Sequence, residues 1–329
     1  MNTLSNEFKT HAKSIGTEKV VILSKDDFRF SSNDLDYNEI DIIEKIQNNF
    51  IWEKFSTLVL LGIFGCDEYH SNISKFKKNT GLTGCHGNYW KVAENIGKKL
   101  SAFLENKGFI VKYTGENSFS LPTKHILNIK GISKYGKNSL AYVNEYGSWI
   151  NNWVYLFTNA PLEGEDANIS KLSTICGNCD VCIKKCPTGA ISSPFKVDRE
   201  KCLVHILQTD IDIPQDIRDK IGNWVWGCDI CQVVCPTNLK VKSRIRAKDA
   251  GLYHPSKCTL PEHSHPFPNL LLELKEEYNR LYLRNVLVAL GNGGDFEAIK
   301  AVESFAQKAE KIGLGDYCNW ALKKLKERN

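Results

Sequence analysis

Two short cysteine arrays near the middle of the chain constrain its fold more than any other feature. The first, CGNCDVCIKKCP, spans 176–187, and the second, CDICQVVCP, spans 228–236; each closes in Cys-Pro. The first array has the C-x2-C-x2-C-x3-C-P spacing of bacterial ferredoxins, in which three cysteines bind one [4Fe–4S] cube and the fourth reaches a second cube. The spacing therefore predicts an iron–sulfur module with two clusters.

The ligands of these two clusters are predicted to pair crosswise. The second array lacks one cysteine of the full pattern, and Cys202, which lies between the arrays, supplies it. Two zinc sites are the alternative, because C-x2-C pairs also bind zinc, but dense arrays closed by Cys-Pro fit zinc poorly. Cluster 1 is assigned Cys176, Cys179, Cys182 and Cys235, and cluster 2 is assigned Cys186, Cys202, Cys228 and Cys231.

The chain has 329 residues, enough for two or three domains, so the cluster module is only part of it. No apolar run approaches the roughly 20 residues of a membrane helix, and the N-terminus lacks a secretory signal. We therefore expect a cytoplasmic protein without a membrane partner, whose clustered thiols bind metal rather than form disulfides. The net charge of +5 permits a polyanionic partner without requiring one.

Apolar patterning divides the chain into three parts. Residues 1–167 are predicted as an α/β domain, 168–250 as an α+β two-cluster ferredoxin-like domain, and 251–329 as a short α-helical tail. The tail breaks at GNGGD and GLGD, where glycine precedes an aspartate that can cap the next helix. Helices of this length resemble one and a half HEAT-like repeat units.

Within the first part, run length and flanking breakers predict individual elements. KVVILS (19–24) and TLVLLGIFG (57–65) are predicted as buried strands, and a helix over 89–108 is predicted to stop at Gly108. FIVKY then resumes as a strand. The segment LAYVNEYGSWINNWVYLFTNAP is predicted as a β-hairpin around an Asn-Glu-Tyr-Gly turn.

Several segments closely resemble the epoxyqueuosine reductase family. IPQDIRDKIGNWVWGCDICQVVCPTN, following CGNCDVCIKKCPTGAI and KCLVHIL, is the most specific of them. GKNSLAYVNEYGSWI matches the family's GKN and GSW segments, and GNYWKVAENIGKKLSAFLENKGF is similar to its tyrosine-led helix. LRNVLVALGN resembles the start of its helical-repeat tail. The resemblance covers the chain from about Tyr89 to Asn292.

This resemblance implies an oxidoreductase that carries two [4Fe–4S] clusters and a cobalamin and converts epoxyqueuosine to queuosine in tRNA. The family binds cobalamin in its N-terminal α/β domain, and an external donor supplies electrons that the clusters pass singly to cobalt. Without the cysteine arrays, the glycines of the GKN and GSW segments would be ordinary turn glycines. The cobalamin contacts implied are Tyr89, Gly136, Lys137, Asn138, Gly147 and Ser148.

One position departs from the family's pattern. The family's proton donor is an aspartate about 19 residues before the GKN glycine, and counting back from Gly136 reaches Asn117. An amide cannot act as a general acid. Glu116 is the alternative donor if the loop shifts by one residue, and Lys124 and His125 are further alternatives. Each of these is otherwise explained as a solvated loop residue.

The departure leaves three functions open. The first is a tRNA reductase of the epoxyqueuosine type with a displaced acid. The second is a corrinoid-dependent reductase of a small molecule, resembling the reductive dehalogenases that share the architecture. The third is a non-catalytic electron carrier to another corrinoid protein.

A basic segment after the last cluster cysteine is the predicted tRNA contact. In an extended strand, alternate residues of KVKSRIRAKD share one face, where they would follow a row of phosphates. A solvated charged edge is the alternative, and the helical tail is short for a full RNA-binding surface. The residues concerned are Lys240, Lys242, Arg244, Arg246 and Lys248.

The cysteines outside the arrays have simpler interpretations. Cys66 and Cys318 are predicted as small buried residues, whereas Cys85 precedes Tyr89 near the expected cobalamin face. Cys258 and nearby histidines are a further candidate metal site, although their spacing matches no zinc pattern. Its histidines would be His254, His263 and His265.

Overall fold

The computed structural model of the protein describes residues 2–28, 50–65, 81–114, 123–164, 173–241 and 280–328. Contacts between Cα atoms divide the chain into two compact units. Of the described residues, unit 1 holds 2–28, 50–65, 89–114, 123–164, 173–179 and 240–241, and unit 2 holds 81–88, 180–239 and 280–328.

The secondary structure is a mixture of short strands and helices. The strands are β1 Lys19–Ser24, β2 Thr57–Phe64, β3 Leu82–Thr83, β4 Val111–Thr114, β5 Ser133–Tyr135, β6 Ala141–Val143, β7 Ile150–Thr158, β8 Ile191–Ser193, β9 Lys196–Val197 and β10 Trp224–Trp226. The helices are α1 Thr3–Ser14, α2 Cys85–Glu105, α3 Thr123–Ile129, α4 Val181–Lys185, α5 Leu203–Gln208, α6 Gln215–Ile221, α7 Ile230–Val233, α8 Pro236–Leu239, α9 Arg280–Gly293, α10 Phe296–Lys311 and α11 Gly315–Arg328.

Unit 1 is built on a four-stranded sheet in the order β1-β2-β7-β4, with every neighbouring pair antiparallel. Strand β2 is buried along its whole length, and its Leu60 pairs with Val21 of β1 and Tyr155 of β7. The strands predicted at 19–24 and 57–65 are therefore confirmed. Their apolar runs predicted burial correctly, but they carried no information on strand direction.

Helix α2 packs on this sheet through a glycine. A Cβ atom on Gly97 would lie 2.4 Å from the ring of Tyr113 on β4 and 2.8 Å from Val154 Cγ1 on β7. Such contacts are too short for any other residue, so Gly97 permits the close approach. The predicted helix is confirmed; it begins and ends a few residues earlier than predicted, and Gly108 lies in the following turn with φ +86°.

The predicted β-hairpin between the AYV and INNWVYLFT strands is wrong. Strand β6 pairs with β5 instead, and β7 pairs with β2 and β4 in the main sheet. Only the isolated bridge between Val143 and Gly147 closes the predicted turn. The nine residues of β7 pair with the eight-residue β2 on one side and the four-residue β4 on the other, and the three-residue β6 offers less pairing than β2.

Unit 2 joins the short elements around the cysteines to the three C-terminal helices. Leu287 of α9 shares a buried cluster with Leu207 of α5, Ile221 of α6 and Trp224 of β10. Helices α9 and α10 each pack against α11, and α9 also packs against α5, α6 and β10. In the described ranges, no helix is long and apolar enough to cross a membrane.

A short parallel pairing brings the start of α2 beside the second cysteine array. Strand β3 lies along β10, and the Gly84 N–H donates to the Trp226 carbonyl at 2.6 Å. A Cβ on Gly84 would lie 3.0 Å from the backbone nitrogen of Cys228, and Gly227 has φ +68°. Both glycines are needed because the two backbones approach too closely for side chains.

Candidate iron–sulfur centre and the adjoining turns

All eight predicted cluster ligands are described, and none of them forms a disulfide. Cys182 is buried and the other seven are half-buried. Among the described residues, no three His, Cys, Asp or Glu side chains group as ligands of a single metal ion. The thiolates of a [4Fe–4S] cluster lie farther apart than the ligands of one metal ion, because each of the four binds a different iron.

The two arrays have the same local geometry. Helix α4 begins after Asp180 and helix α7 begins after Asp229, and the two helices pack against each other. Each aspartate carbonyl accepts the first two backbone N–H bonds of its helix, from Ile183 and Lys184 in one array and from Gln232 and Val233 in the other. The repeat places Cys182 and Cys231 at equivalent helical positions.

Backbone donors surround the Cys186 sulfur. Burial raises the pKa of this thiol, but the Ile191 N–H, the Thr188 hydroxyl and further backbone N–H groups together hold it below its ordinary value. The Thr188 hydroxyl lies 3.7 Å from Sγ and also bonds the Lys201 carbonyl at 2.6 Å, one residue before Cys202. Hydrogen bonds of this kind favour a thiolate, the form that binds iron.

Three further thiols of the predicted cluster 2 gather in unit 2. Burial raises the pKa of the Cys228 thiol well above its ordinary value, and the nearby charges of Cys231, Asp229 and Cys202 raise it further. Ionisation of Cys228 is thus opposed both by its burial and by repulsion from these neighbouring groups. Shared iron ions would offset this repulsion, so the donor set suits an iron–sulfur cluster.

The predicted ligands of cluster 1 divide between the units. Cys176 and Cys179 belong to unit 1, where the Cys179 N–H donates to the Cys176 carbonyl at 2.9 Å, and Cys182 and Cys235 belong to unit 2. The assignment of these four thiols to one cube stays a prediction.

The GKN segment forms the turn between β5 and β6. The Gly136 N–H donates to the Leu140 carbonyl at 2.9 Å, and buried Asn138 donates its side-chain amide to the Tyr142 hydroxyl at 3.1 Å. A Cβ on Gly136 would lie 2.4 Å from the Tyr142 ring. The packing of the turn therefore explains this glycine without a ligand.

This turn contacts a cluster ligand. The Lys137 N–H donates to the Cys176 sulfur at 3.2 Å. The chain leading to Cys176 is held by the same hairpin, because Tyr135 donates its N–H to the Ser173 carbonyl at 2.8 Å and accepts from the Ile175 N–H at 3.0 Å. The fold thus brings together two segments that the sequence separates by about 40 residues, and spacing gave no signal of the contact.

The GSW segment forms the next turn, at the other end of β6. Gly147 has φ +58°, and its carbonyl accepts the Val143 N–H at 2.9 Å. Ser148 is buried at 2% exposure, and the Trp149 carbonyl accepts the Gly65 N–H at the end of β2. The two predicted cobalamin-contact segments are therefore neighbouring turns, separated only by the three residues of β6.

The proposed proton donors are only partly described. Asn117 and Glu116 lie outside the described residues. Lys124 and His125 are on α3, and the Lys124 ammonium donates to the Ser139 carbonyl of the GKN turn at 3.2 Å. The Tyr135 hydroxyl lies 3.5 Å from His125 Nδ1. Both alternatives therefore contact the GKN hairpin.

A buried ion pair supports this region and was not predicted. The Lys130 side chain, which follows α3, is 3% exposed, and its ammonium donates to Asp27 at 2.8 Å. Burial raises the pKa of Asp27, but Lys130 and the N–H and hydroxyl of Ser24 together lower it below its ordinary value. The pair joins residues 103 apart in sequence, which explains why no local pattern indicated it.

The structure describes only some of the remaining residues that the sequence singled out. Tyr89 and Cys85 lie on α2, but their side chains are outside what the structure describes, as are Cys66 and the residues of the predicted Cys258 metal site. Cys318 is buried as predicted, and its thiol donates to the Val302 carbonyl at 3.4 Å. Of the basic segment, only Lys240 is described, and it is exposed.

The cysteine region and the whole chain are both similar to known proteins. A family model for a 4Fe-4S double cluster binding domain matches residues 175–238. The chain is 27% identical to a protein named epoxyqueuosine reductase from Lactococcus garvieae (strain Lg2), over 100% of this chain and 98% of that protein.

Two solved structures share the fold. An epoxyqueuosine reductase from Streptococcus thermophilus superposes with a TM-score of 0.72 at 22% identity, over 99% of this chain and 90% of that one. An epoxyqueuosine reductase with a tRNA-Tyr epoxyqueuosine-modified stem loop superposes with a TM-score of 0.64 at 21% identity, over 98% of this chain and 99% of that one.

The mixed α/β fold and the matched domain define a double-cluster iron–sulfur protein, which confirms the prediction made from the cysteine spacing. Along its full length the chain is similar to proteins named epoxyqueuosine reductase, at 27% and 26% identity over 100% and 98% of this chain.

Proposed function

We propose that this protein is an oxidoreductase that reduces epoxyqueuosine in tRNA to queuosine, using two [4Fe–4S] clusters and a cobalamin. Full-length similarity to a protein named epoxyqueuosine reductase supports the activity. The observation that carries the cofactor arrangement is the hydrogen bond from Lys137 in the GKN turn to the cluster ligand Cys176. It joins the expected cobalamin-contact segment to the expected electron source.

The layout proposed for the chain has three domains: a cobalamin-binding domain at 1–167, a ferredoxin-like domain at 168–250 and a HEAT-like tail at 251–329. Packing of α9 and α10 against α11 supports a helical repeat in the tail. The crosswise ligand sets are retained, with Cys176, Cys179, Cys182 and Cys235 on cluster 1 and Cys186, Cys202, Cys228 and Cys231 on cluster 2.

The cobalamin contacts proposed are Gly136, Lys137, Asn138, Gly147 and Ser148, with Tyr89. Asn138 and Ser148 are buried at 5% and 2% exposure, so their part is to fix the two turns, whose backbones would hold the cofactor. Lys137 is half-buried and offers both its amide and its side chain. When bound, cobalamin supplies the low-valent cobalt that reduces the epoxide carbon.

The reaction also consumes protons. Replacing the epoxide by a carbon–carbon double bond takes up two electrons and two protons and releases the oxygen as water. Because Asn117 carries an amide, the proton must come from another group, and Glu116, Lys124 and His125 are the candidates. Glu116 is preferred because a carboxylic acid protonates an alkoxide oxygen at neutral pH once its pKa is raised.

The partner proposed is tRNA, bound through phosphate contacts from the basic segment that begins at Lys240 and continues through Lys242, Arg244, Arg246 and Lys248. A relative of the same fold was solved with an epoxyqueuosine-modified tRNA stem loop, which supports this choice. Substitution of all five by Gln should weaken tRNA binding and flatten its salt dependence.

Anaerobic preparation with iron analysis, cobalamin uptake and turnover of epoxyqueuosine-containing tRNA tests the proposal. We expect about eight irons per chain, one cobalamin and formation of queuosine. Iron without cobalamin uptake would leave an electron carrier. Asn117→Asp should raise turnover if Asn117 occupies the donor position, whereas Glu116→Gln should abolish turnover if Glu116 is the acid.

The amide at Asn117 favours a second candidate function, a corrinoid-dependent reduction of a small molecule. A different substrate would need a different acid. Cobalamin uptake without turnover of the modified tRNA, in both the wild type and Asn117→Asp, would favour this second candidate.

A further inference from the structure

Helix α9 inserts two polar side chains into the core of unit 2. Arg284 and Asn285 are both 0% exposed. The Arg284 guanidinium has no carboxylate partner within hydrogen-bond distance among the described residues; it donates instead to the Ile206, Thr209 and Ile211 carbonyls and to the Asn285 side chain. Buried polar groups of this kind are costly unless every hydrogen bond is made, so their placement here requires a reason.

The Asn285 carboxamide uses its full donor capacity on two different elements. One hydrogen of Nδ2 goes to the Leu207 carbonyl at 2.8 Å and the other to the Val225 carbonyl at 2.9 Å. Its oxygen accepts from Arg284 Nε at 3.1 Å and Nη2 at 2.9 Å, which fixes the orientation of the amide. Asn285 therefore links α5 to β10 and fixes the distance between them.

Both elements lead to a predicted ligand of cluster 2. Helix α5 starts directly after Cys202, which is its N-cap residue, and Leu207 lies in its last turn. Strand β10 contains Val225 and ends at Trp226, two residues before Cys228. Because a helix turn and a strand are stiff over so few residues, a change at Leu207 or Val225 moves Cys202 relative to Cys228.

We infer that Asn285, held by Arg284, is a positioning residue for cluster 2, which sets the separation of the Cys202 and Cys228 ligands. The helical tail thereby completes an iron–sulfur site whose cysteines all lie outside it. The inference rests on the ligand set given under the proposed function. It differs from a purely structural role, which would affect the two clusters equally.

Asn292 provides a matched control on the same helix. Its side-chain amide donates to the Arg218 and Gly222 carbonyls at 2.7 and 3.0 Å, which belong to α6 and the residue after it. Helix α6 neither begins nor ends at a cysteine. Asn292→Asp thus removes the same two amide donors as Asn285→Asp, but from a half-buried side chain bound to a helix that holds no cluster ligand.

The test compares these two variants after anaerobic reconstitution. Asn285→Asp should retain about four of eight irons, and any iron still bound at cluster 2 should transfer to a ferrous chelator about tenfold faster than in the wild type. Asn292→Asp should keep about eight irons even where its melting temperature falls by the same amount. Equal iron contents and release rates in the two variants, or loss of all iron in Asn285→Asp, would overturn the inference.

Cysteine variants separate this inference from the ligand assignment. Cys202→Ser and Cys228→Ser should each lose one four-iron cluster and leave the electron paramagnetic resonance spectrum of the other. If they do so while Asn285→Asp keeps both clusters, the ligand set stands and the role of Asn285 fails. If the two cysteine variants lose different clusters, the ligand set itself is wrong and the inference fails with it.

Hydrogen exchange tests the same coupling should Asn285→Asp not fold. Coupling between two sites is reciprocal, so loss of cluster 2 must loosen the helix that positions it. In Cys202→Ser, amides of residues 281–290 should exchange about tenfold faster than in the wild type, while those of 316–325 on α11 should not. Unchanged exchange in 281–290 would overturn the inference.

Discussion

The Lys137 backbone N–H donates to the Cys176 sulfur at 3.2 Å, which joins the GKN turn to a ligand of the predicted cluster 1. Hydrogen bonds to cluster sulfurs stabilise the more reduced, more negative state and so raise the reduction potential. If Cys176 binds cluster 1 as proposed, this hydrogen bond raises the reduction potential of that cluster. This contact is made by the backbone, so any residue except proline can keep it.

Selective isotope labelling should detect this bond directly. In protein labelled with 15N only at lysine, hyperfine spectroscopy of the reduced clusters should show a coupled lysine nitrogen. Lys137→Ala keeps the N–H but replaces the labelled nitrogen by an unlabelled one, so the coupling should vanish. Lys134→Ala, three residues away on β5, should leave it unchanged. A coupling that persists in Lys137→Ala would show that another lysine is the donor.

Removal of the same donor should lower the potential of one cluster only. Lys137→Pro lacks the N–H, and we expect the midpoint potential of one cluster to fall while that of the other stays constant. Lys137→Ala should leave both potentials unchanged. Redox titration monitored by electron paramagnetic resonance measures the two values, and equal shifts of both clusters would contradict the prediction.

Gly136→Ala should destabilise the GKN turn. Its Cβ would lie 2.4 Å from the Tyr142 ring and 2.5 Å from Asn138 Oδ1, so the hairpin must shift. We expect a loss of about 1–3 kcal/mol in the free energy of unfolding, together with weaker cobalamin binding. Denaturant titration and cobalamin titration measure the two effects. If Gly136→Ala binds cobalamin as the wild type does, this turn is not a cofactor contact.

Removal of Asp27 should lower the free energy of unfolding more than removal of Lys130, because Lys130 is the more deeply buried partner of this ion pair. Asp27→Asn leaves the buried ammonium without its carboxylate and should cost about 1–2 kcal/mol, a value reduced because Asp27 is 34% exposed. Lys130→Met should cost less, since an apolar chain fills the same space. Chemical denaturation of both variants provides the comparison, and a larger loss in Lys130→Met would contradict it.

The pH dependence of this pair follows from the lowered pKa of Asp27. A carboxyl group whose pKa is lower in the folded state stabilises the protein above its unfolded pKa, near 4, and loses that contribution as the pH falls further. The difference between wild type and Asp27→Asn should therefore be constant from pH 5 to 8. A difference that changes within this range would assign the effect to another group.

Cys318 should be unreactive in the folded protein. Burial raises the pKa of its thiol to about 11, and the nearby Glu310 adds to the increase. Little thiolate then exists at pH 8, so iodoacetamide should modify Cys318 only after unfolding. Because the folded pKa is the higher one, the contribution to stability is complete below the ordinary thiol pKa and declines as the pH rises toward 11. Mass spectrometry of alkylated peptides measures the reaction.

The sequence by itself determined those features that depend on residues close together in the chain. The spacing of Cys176, Cys179, Cys182 and Cys186 suffices to predict a double-cluster module, because ligand geometry limits the chain between thiolates to a few residues. The apolar runs within 19–24 and 57–65 predicted strands correctly, since consecutive apolar residues leave no face to offer water; β2 is buried throughout, and β1 is buried at Val21, Ile22 and Leu23. The helix that packs through Gly97 was likewise predicted from its periodicity.

Only the tertiary structure decided which distant segments meet. The sequence assigned β6 to β7, but strand pairing is a competition among all available edges, and β7 gains more from β2 and β4. The contacts of Lys137 with Cys176 and of Lys130 with Asp27 join residues 39 and 103 positions apart, for which no periodicity exists. Asn285 likewise acquires its place from the carbonyls of α5 and β10, because hydrogen bonds to backbone carbonyls leave no trace in the identity of the accepting residues.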